Sequence, residues 1–200
     1  MKIALIGAGY SGIRFLQCLE QIPKKRRVEI VGIVEIKHKL SSKLKKYRVY
    51  HTIQEMVDNE QPDTVIIATP DNTHELIFQE LKKYNIPNII AEKPLVSNLK
   101  SCLKLEKYLS SKKLTVNYVE RMSPIVEKCK NLLQKKRIVV TRCNFQWGKD
   151  RFFDARDTLG VYAEITHPLD LIFTLFSIYR YKIINAYSSR YKFTFRGKRK

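Results

Sequence analysis

The feature that most narrows the fold is a glycine pattern close to the start of the sequence. Gly7-Ala8-Gly9-Tyr10-Ser11-Gly12 follows directly on the apolar run Ile3-Ala4-Leu5-Ile6 and opens an amphipathic stretch. In a strand–turn–helix unit the first glycine permits the tight turn and the second lets the backbone approach an anion. The third lets helix and strand pack closely, and the first N–H groups of the helix are left for a pyrophosphate. A lone G-x-G-x-x-G often arises by chance. Here its place between strand and helix, with an acidic residue ending the next apolar run, gives it weight. That residue is Glu35. The motif predicts a dinucleotide held by Gly7, Gly9, Tyr10, Ser11 and Gly12, with the Glu35 carboxylate accepting the adenosine ribose hydroxyls. A carboxylate there repels a 2′-phosphate and so favours NAD. Lys37, His38 and Lys39 come next and are able to neutralise such a phosphate, so NADP stays open. Without a ligand the same residues are a glycine-rich turn and a solvated strand end.

Up to about residue 118, apolar runs alternate with amphipathic stretches, the pattern of a parallel sheet with crossover helices. Strands are expected at 3–6, 28–34, 49–51, 64–68, 88–91 and 114–117. That is the strand count of a full doubly wound α/β (Rossmann) domain. Helices are expected at 11–21, stopped by Pro23, and at 40–46, 53–57 and 99–109, the last capped by Asn98. Another runs from the Pro70-Asp71-Asn72-Thr73 turn to Tyr84, with Asn72 or Thr73 placed to cap it. Beyond 118 the texture changes. The pattern predicts a helix from Ser123-Pro124 to about Gln134, an alternating strand at 138–146 and a polar loop at 148–158. A helix at 168–178, one or two strands over 182–195 and a frayed basic tail at 196–200 complete it. The reading is a dinucleotide-binding domain over 1–118 and a smaller α+β domain over 119–200.

Composition restricts the partners. With 44% hydrophobic and 28% charged residues in 200, the chain is of soluble globular type. No apolar run approaches the roughly 18 residues that cross a bilayer, and the run at 3–6 is too short for a secretory leader. A cytoplasmic protein with no membrane partner is expected. Cys18, Cys102, Cys129 and Cys143 are scattered without a C-x-x-C pair, so buried or half-buried free thiols and no metal are expected. The net charge of +19 would attract nucleic acid or phosphorylated molecules. The basic residues are, however, spread along the chain with no recognition module beside them, and no nucleic-acid partner is expected.

At Ala91-Glu92-Lys93-Pro94-Leu95, after the glycine turn and Thr69-Pro70-Asp71-Asn72-Thr73-His74, the sequence resembles the Gfo/Idh/MocA oxidoreductases. The likeness continues through Val116-Asn117-Tyr118 and Arg121-Met122-Ser123-Pro124. It runs on into Gly160-Val161-Tyr162-Ala163-Glu164-Ile165-Thr166-His167-Pro168-Leu169-Asp170, covering essentially the whole chain. The resemblance implies that the E-K-P turn lies below the nicotinamide, with Lys93 touching cofactor and substrate. It implies that Thr69, Pro70, Asn72, His74 and Glu92 belong to the cofactor site and that His167 is the acid/base. The implied activity is hydride transfer between NAD(P) and a small polar substrate: a sugar, cyclitol or nucleotide sugar, with an imine as a variant.

The chemistry of these residues agrees. Oxidising an alcohol requires a base for its proton and a cation to steady the developing alkoxide. Lys93 supplies the cation, and His167 titrates near neutral pH. Pro168 lacks an N–H and is tolerated in a helix's first turn, so His167 is expected at a helix N-terminus, with Asp170 close enough to orient it. Arg121, Trp147, Arg151 and Glu164 are the candidate substrate contacts, with Lys149, Asp150 and Arg156 in the same polar loop. Glu164 departs from the family, where Asp is common. Taken singly, His-Pro is more often a cap and Lys93 one of many lysines. Glu92 would then only hold its turn, and Asp170 only stabilise its helix.

Family members continue further, with a large sheet in the second domain. The sequence therefore predicts a compact variant that forms a homo-oligomer, a chain completed by a partner, or a catalytically silent NAD(P)-binding protein.

Overall fold

The computed structural model describes residues 1–36, 42–138, 140, 142–144, 146–147, 161–177, 181–188 and 193–199. For residues 161–162 and the last two segments it describes backbone alone. The chain divides into two compact units, Met1–Asn117 and Tyr118–Lys200.

The first unit is built on six parallel strands: β1 (Lys2–Ile6), β2 (Glu29–Val34), β3 (Val49–Tyr50), β4 (Thr64–Ile67), β5 (Asn88–Ala91) and β6 (Lys113–Val116). Their order is β3-β2-β1-β4-β5-β6, with the reversal between β1 and β4 that defines a doubly wound sheet. The expected strands fall within one or two residues of these. Because side chains alternate across a sheet, each central strand feeds two cores. Ile3 and Leu5 of β1 and Ile66 of β4 join Ile33 and Leu16, the latter from α1 (Tyr10–Glu20), on one face. Ala4, Ile6, Val65 and Ile67 point to the other. There they meet Met56 from α2 (Ile53–Glu60), Phe78 and Leu81 from α3 (His74–Leu81), and Leu105 and Leu109 from α4 (Leu99–Ser110).

Local chemistry sets several of these boundaries. The Thr52 hydroxyl accepts from the Glu55 N–H at 3.1 Å, and burial of Met56 and Glu60 carries α2 a turn beyond the expected 53–57. Glu60 is buried yet ionised: the Tyr50 phenol donates to it, and together with Arg48 it holds the carboxyl below its usual range. Asn98 caps α4 as expected, accepting from the Ser101 N–H at 2.9 Å. Neither residue proposed to cap α3 does so in the expected way. Residues 71–73 form a 3-10 turn, and the Thr73 hydroxyl turns back to Thr69 Oγ1 and the Pro70 carbonyl. The expected helix at 40–46 is a single 3-10 turn at 42–44, with 40 and 41 outside the described residues.

In the second unit, α5 (Pro124–Lys135) begins at its proline as expected. The segment 138–146 shows no strand among its described residues. Arg137 turns the chain into the left-handed region after α5, and alternation alone makes no strand without a partner to pair with. α6 (Val161–Phe176) begins well before the expected 168. β7 (Tyr181–Ser188) and β8 (Phe193–Arg199) form an antiparallel pair, so the tail expected to fray is strand as far as Arg199. Cys102 is a half-buried free thiol as expected, whereas Cys18, Cys129 and Cys143 are exposed free thiols, not the buried or half-buried ones expected. Among the described residues no helix is long and apolar enough to cross a membrane.

Candidate functional site

In the first unit the candidate residues converge on the edge where the parallel strands end. The Gly7 N–H donates to the Val34 carbonyl at 2.9 Å, which splices the glycine turn onto β2. Gly7 has φ +90, and a Cβ there would lie 2.6 Å from the Thr69 methyl, so the turn tolerates no side chain. At Gly12 a Cβ would overlap the Gly7 carbonyl oxygen, so this glycine sets the helix-to-strand contact. Gly9 is different, since a Cβ there would meet nothing within 4 Å. It is the N-cap of α1 and brings no side-chain acceptor, so the helix's first N–H groups face open space. An open groove of ≈ 570 Å³ runs along this turn and over Tyr10, Ile13, Arg14, Gln17 and Lys43. A glycine surface open at one position, closed behind, and headed by a helix N-terminus fits a dinucleotide pyrophosphate. Ser11 is half-buried and Tyr10 is 76% exposed, with the Arg14 guanidinium over its ring at 5.7 Å.

Glu35 does more than end β2. Its Oε2 accepts from the Ala8 N–H at 2.9 Å, so the acidic residue and the glycine turn form one piece. His51 Nδ1 lies 3.0 Å from the Glu35 carbonyl. Arg14, Gln17 and Lys43 were missed as site residues by sequence reasoning, because they fall outside the motif. The signal available was Arg14, one turn into the helix that the motif opens. Lys37, His38 and Lys39 lie outside the described residues.

The E-K-P turn is fixed on both flanks. The Glu92 N–H donates to the Ile67 carbonyl at 2.9 Å, and Asn117 Nδ2 donates to Glu92 Oε1 at 2.9 Å. Glu92 thus joins the ends of β4, β5 and β6. On the other flank stands His74, with 0% of its surface exposed. Its Nδ1 lies 3.0 Å from the Pro94 carbonyl and 3.3 Å from that of Leu95, and its Nε2 lies 3.1 Å from the Thr69 carbonyl. His74, expected in the cofactor site, is a fully buried ring that holds the two loops together. Lys93 is half-buried between these anchors, beside buried Pro94, and Pro70 and Asn72 are exposed on the neighbouring loop. Replacing His74 by alanine would leave the buried carbonyls without this donor and open a cavity. A stability loss of about 2–4 kcal/mol is expected. Urea unfolding measures it, and a weaker NADH complex should accompany it; an unchanged urea midpoint would show that the clamp carries nothing.

In the second unit the expected placement of His167 is corrected. It lies inside α6, not at its N-terminus, and Pro168 is an interior proline. The missing N–H of Pro168 removes one rung of the helix ladder, and the Thr166 hydroxyl donates to the adjacent Ala163 carbonyl at 2.9 Å. Two aromatic rings surround the His167 imidazole: Trp147 stacks on it at 5.6 Å and Tyr118 meets it edge-on at 6.1 Å. Asp170, expected to orient the imidazole, has Arg121 as a partner that was not foreseen. Both its oxygens accept from Arg121, whose Nε donates to Oδ2 at 2.6 Å and whose Nη2 donates to Oδ1. A planar guanidinium matches a carboxylate in this two-point way, and the bond holds Arg121 more firmly protonated. Arg121 also lies over the Tyr118 ring at 5.6 Å. Burial pushes the Tyr118 phenol up, opposed by its hydrogen bond with Thr166. Glu164 is buried one turn before His167. Tyr118 and Thr166 were missed; both stood in the quoted motifs, but nothing in their spacing marked them as neighbours of His167. Arg151, with Lys149, Asp150 and Arg156, lies outside the described residues. Among the described residues no group of three or more His, Cys, Asp or Glu is placed to hold a metal.

The doubly wound sheet, the glycine turn and the acidic end of β2 together define a dinucleotide-binding domain. The family model described as an oxidoreductase family with a NAD-binding Rossmann fold matches residues 1–119, and the chain belongs to this Gfo/Idh/MocA family. No curated protein sequence matches it. Among solved structures, GenD2 from gentamicin A biosynthesis, in complex with NAD, superposes with a TM-score of 0.76 at 18% identity, over 96% of this chain and 58% of that one. The WlbA dehydrogenase from Chromobacterium violaceum, with NADH and UDP-GlcNAcA, gives 0.75 at 21% identity, over 94% and 58%. The myo-inositol dehydrogenase of Lactobacillus casei, with NAD(H) and myo-inositol, gives 0.73 at 17%, over 95% and 58%. The chain thus spans 58% of the length of each. At these identities the likeness is one of fold.

Proposed function

We propose that this protein is a NAD-dependent dehydrogenase or reductase acting on a small polar substrate of the sugar, cyclitol or nucleotide-sugar class. The observation that carries the reading is the E-K-P turn. It is anchored by Glu92–Asn117 on one side and His74 on the other, at the same strand-end edge as the glycine turn. Such double anchoring fixes where the Lys93 backbone stands, which a group acting on a reacting atom requires.

Bound NAD supplies the hydride acceptor, or donor in reverse. Gly9 and the N–H groups at the start of α1 hold its pyrophosphate, and Glu35 its ribose. Thr69, Pro70, Asn72 and Glu92 belong to the strand-end loops around it. The Lys93 ammonium steadies negative charge on the substrate oxygen, and the His167 imidazole exchanges that oxygen's proton. Asp170 sets Arg121, and Arg121, Trp147, Arg151 and Glu164 contact substrate. The protein works in the cytoplasm, as a homo-oligomer or with a completing partner chain.

The stacking of Trp147 on His167 favours a second reading, in which the imidazole is covered and the protein binds NAD without turnover. The two separate in a screen of NAD⁺ reduction with polyols and nucleotide sugars, and of NADH oxidation with the corresponding ketones. Steady turnover of one class is expected. NADH binding with no turnover across the panel would sink the enzyme reading and leave the second.

A further inference from the structure

The basic residues that look scattered along the sequence are gathered by the topology. All strands of the six-stranded sheet run the same way. Every helix-to-strand connection therefore returns to one edge, opposite the glycine turn. That edge carries Lys24, Lys25, Arg26 and Arg27 ahead of β2. Across the sheet it carries Lys82 and Lys83 ahead of β5, and Lys112 and Lys113 at the start of β6. Lys112 is half-buried and the others are exposed. Among the described residues only Lys83 of this group has a carboxylate partner, Glu80. Lys82 and Lys112 both lie over the Tyr108 ring, at 5.9 and 5.2 Å, so two ammonium groups are kept close without a counter-charge.

The acidic residues on this edge do not cancel the group. Glu20, Glu60 and Glu80 are paired with Lys46, Arg48 and Lys83, and Asp63 is engaged by the Lys2 N–H at 2.9 Å and the Thr64 hydroxyl at 2.7 Å, which leaves Glu29. The opposite edge is mixed in sign, with Glu35, Asp71 and Glu92 at the strand ends and Lys93, Arg14 and Lys43 beside them. A polyanion is therefore drawn most strongly to the strand-start edge, where the basic residues outnumber the unpaired acids.

We infer that the strand-start edge of this domain is a docking surface for the phosphate backbone of a nucleic acid, bound without sequence preference while the cofactor cradle stays open. The two basic clusters stand four strand spacings apart in the order β2-β1-β4-β5-β6, about 19 Å. One phosphate reaches a single cluster; a polymer of phosphates reaches both. A membrane surface fits less well. Met1 is the one large hydrophobic exposed among the described residues of this edge, and a lipid anchor requires an apolar face. The expectation of no nucleic-acid partner rested on dispersion along the sequence and on the lack of a recognition module; the parallel topology removes the first ground, and binding through phosphates alone does not need the second.

The test is fluorescence anisotropy of a labelled 20-nucleotide single strand of mixed sequence, titrated with the protein across a salt series, with and without saturating NADH. Two variants are compared, one replacing Lys24, Lys25, Arg26 and Arg27 by Gln, the other Lys112 and Lys113 by Gln. Thermal melting and NADH titration confirm that both fold. Wild type should bind with a log–log salt slope of about −4, as about six neutralised phosphates give. The quadruple variant should lose about three of that slope and at least roughly tenfold in affinity, the double variant about half as much. NADH should leave binding unchanged, and a second unrelated sequence should bind equally. The inference is overturned if no binding is seen at low salt, or if NADH displaces the strand, which would place it in the cradle. It is equally overturned if neither variant weakens binding, or if vesicles with phosphatidylserine bind through these residues and the oligonucleotide does not.

Discussion

Gly9→Ala is expected to raise the dissociation constant for NADH by about a hundredfold or more while the free protein melts almost as before. Gly12→Ala should do the opposite first, lowering stability by about 2–3 kcal/mol from overpacking. The two residues share a motif and differ in what surrounds them. A methyl on Gly9 meets nothing within 4 Å. Its backbone, at φ −70 and ψ −162, is one that alanine also adopts, so the cost to the free protein is a weakened N-cap, a few tenths of a kcal/mol. The same methyl fills the space through which a pyrophosphate must approach the helix N–H groups. A methyl on Gly12 collides with the Gly7 carbonyl whether or not cofactor is present, and α1 must shift from β1 to relieve it. Differential scanning fluorimetry without ligand and NADH fluorescence titration read the two effects separately. If Gly9→Ala binds NADH like the wild type, the pyrophosphate does not lie over this turn.

The same pair shows why the first unit was legible and the second less so. In a doubly wound domain the local rules and the global topology agree: apolar runs make strands, a glycine turn must follow the first of them, and an acidic residue at the end of the second lies beside it. Sequence alone therefore placed Gly7, Gly12 and Glu35 correctly on the framework. It did not show that Glu35 is bonded to the glycine turn itself, through the Ala8 N–H, because a side chain reaching a backbone donor leaves no spacing signal. Nor did it separate His74 from its exposed neighbours. Its burial depends on the loop after β5 arriving to meet it, a contact 20 residues away in sequence.

In the second unit a sound local rule gave the wrong geometry. Proline prefers a first turn, yet Pro168 sits inside α6. The preference is a free-energy cost of roughly 3 kcal/mol, which packing of an otherwise apolar helix can offset. The expected helix terminus at His167 rested on that preference. Arg121, far away in sequence, bonds the Asp170 carboxylate because a guanidinium matches it with two parallel donors. The basic edge of the first unit was hidden for a related reason. Its residues are neighbours only because parallel strands all start on one side.

Lys93→Met and His167→Asn are expected to damage turnover, not cofactor binding, and to do so in different ways. Removing the ammonium while keeping the chain length takes away charge stabilisation that matters most when the substrate oxygen is most negative. A fall of about 10²–10³ in kcat follows for loss of one such group, with NADH affinity changed by less than about tenfold since the pyrophosphate sites remain. Removing the imidazole takes away proton exchange, for which losses of about 10²–10⁴ are usual. It should also change the pH profile. In the direction of alcohol oxidation the base must be unprotonated, so wild-type kcat/KM should fall as the imidazole protonates on acidification. His167→Asn should be flat through that range. Lys93→Met should keep the acid limb at a lower rate, because its imidazole is intact. Both variants measured against wild type, on whichever substrate the screen identifies, distinguish these roles from mere damage to the fold. A loss of rate with an unchanged acid limb in His167→Asn would assign the proton to another group and leave the Trp147–His167 stack as packing. Loss of NADH binding in Lys93→Met, with turnover per bound cofactor unchanged, would make Lys93 a cofactor ligand alone.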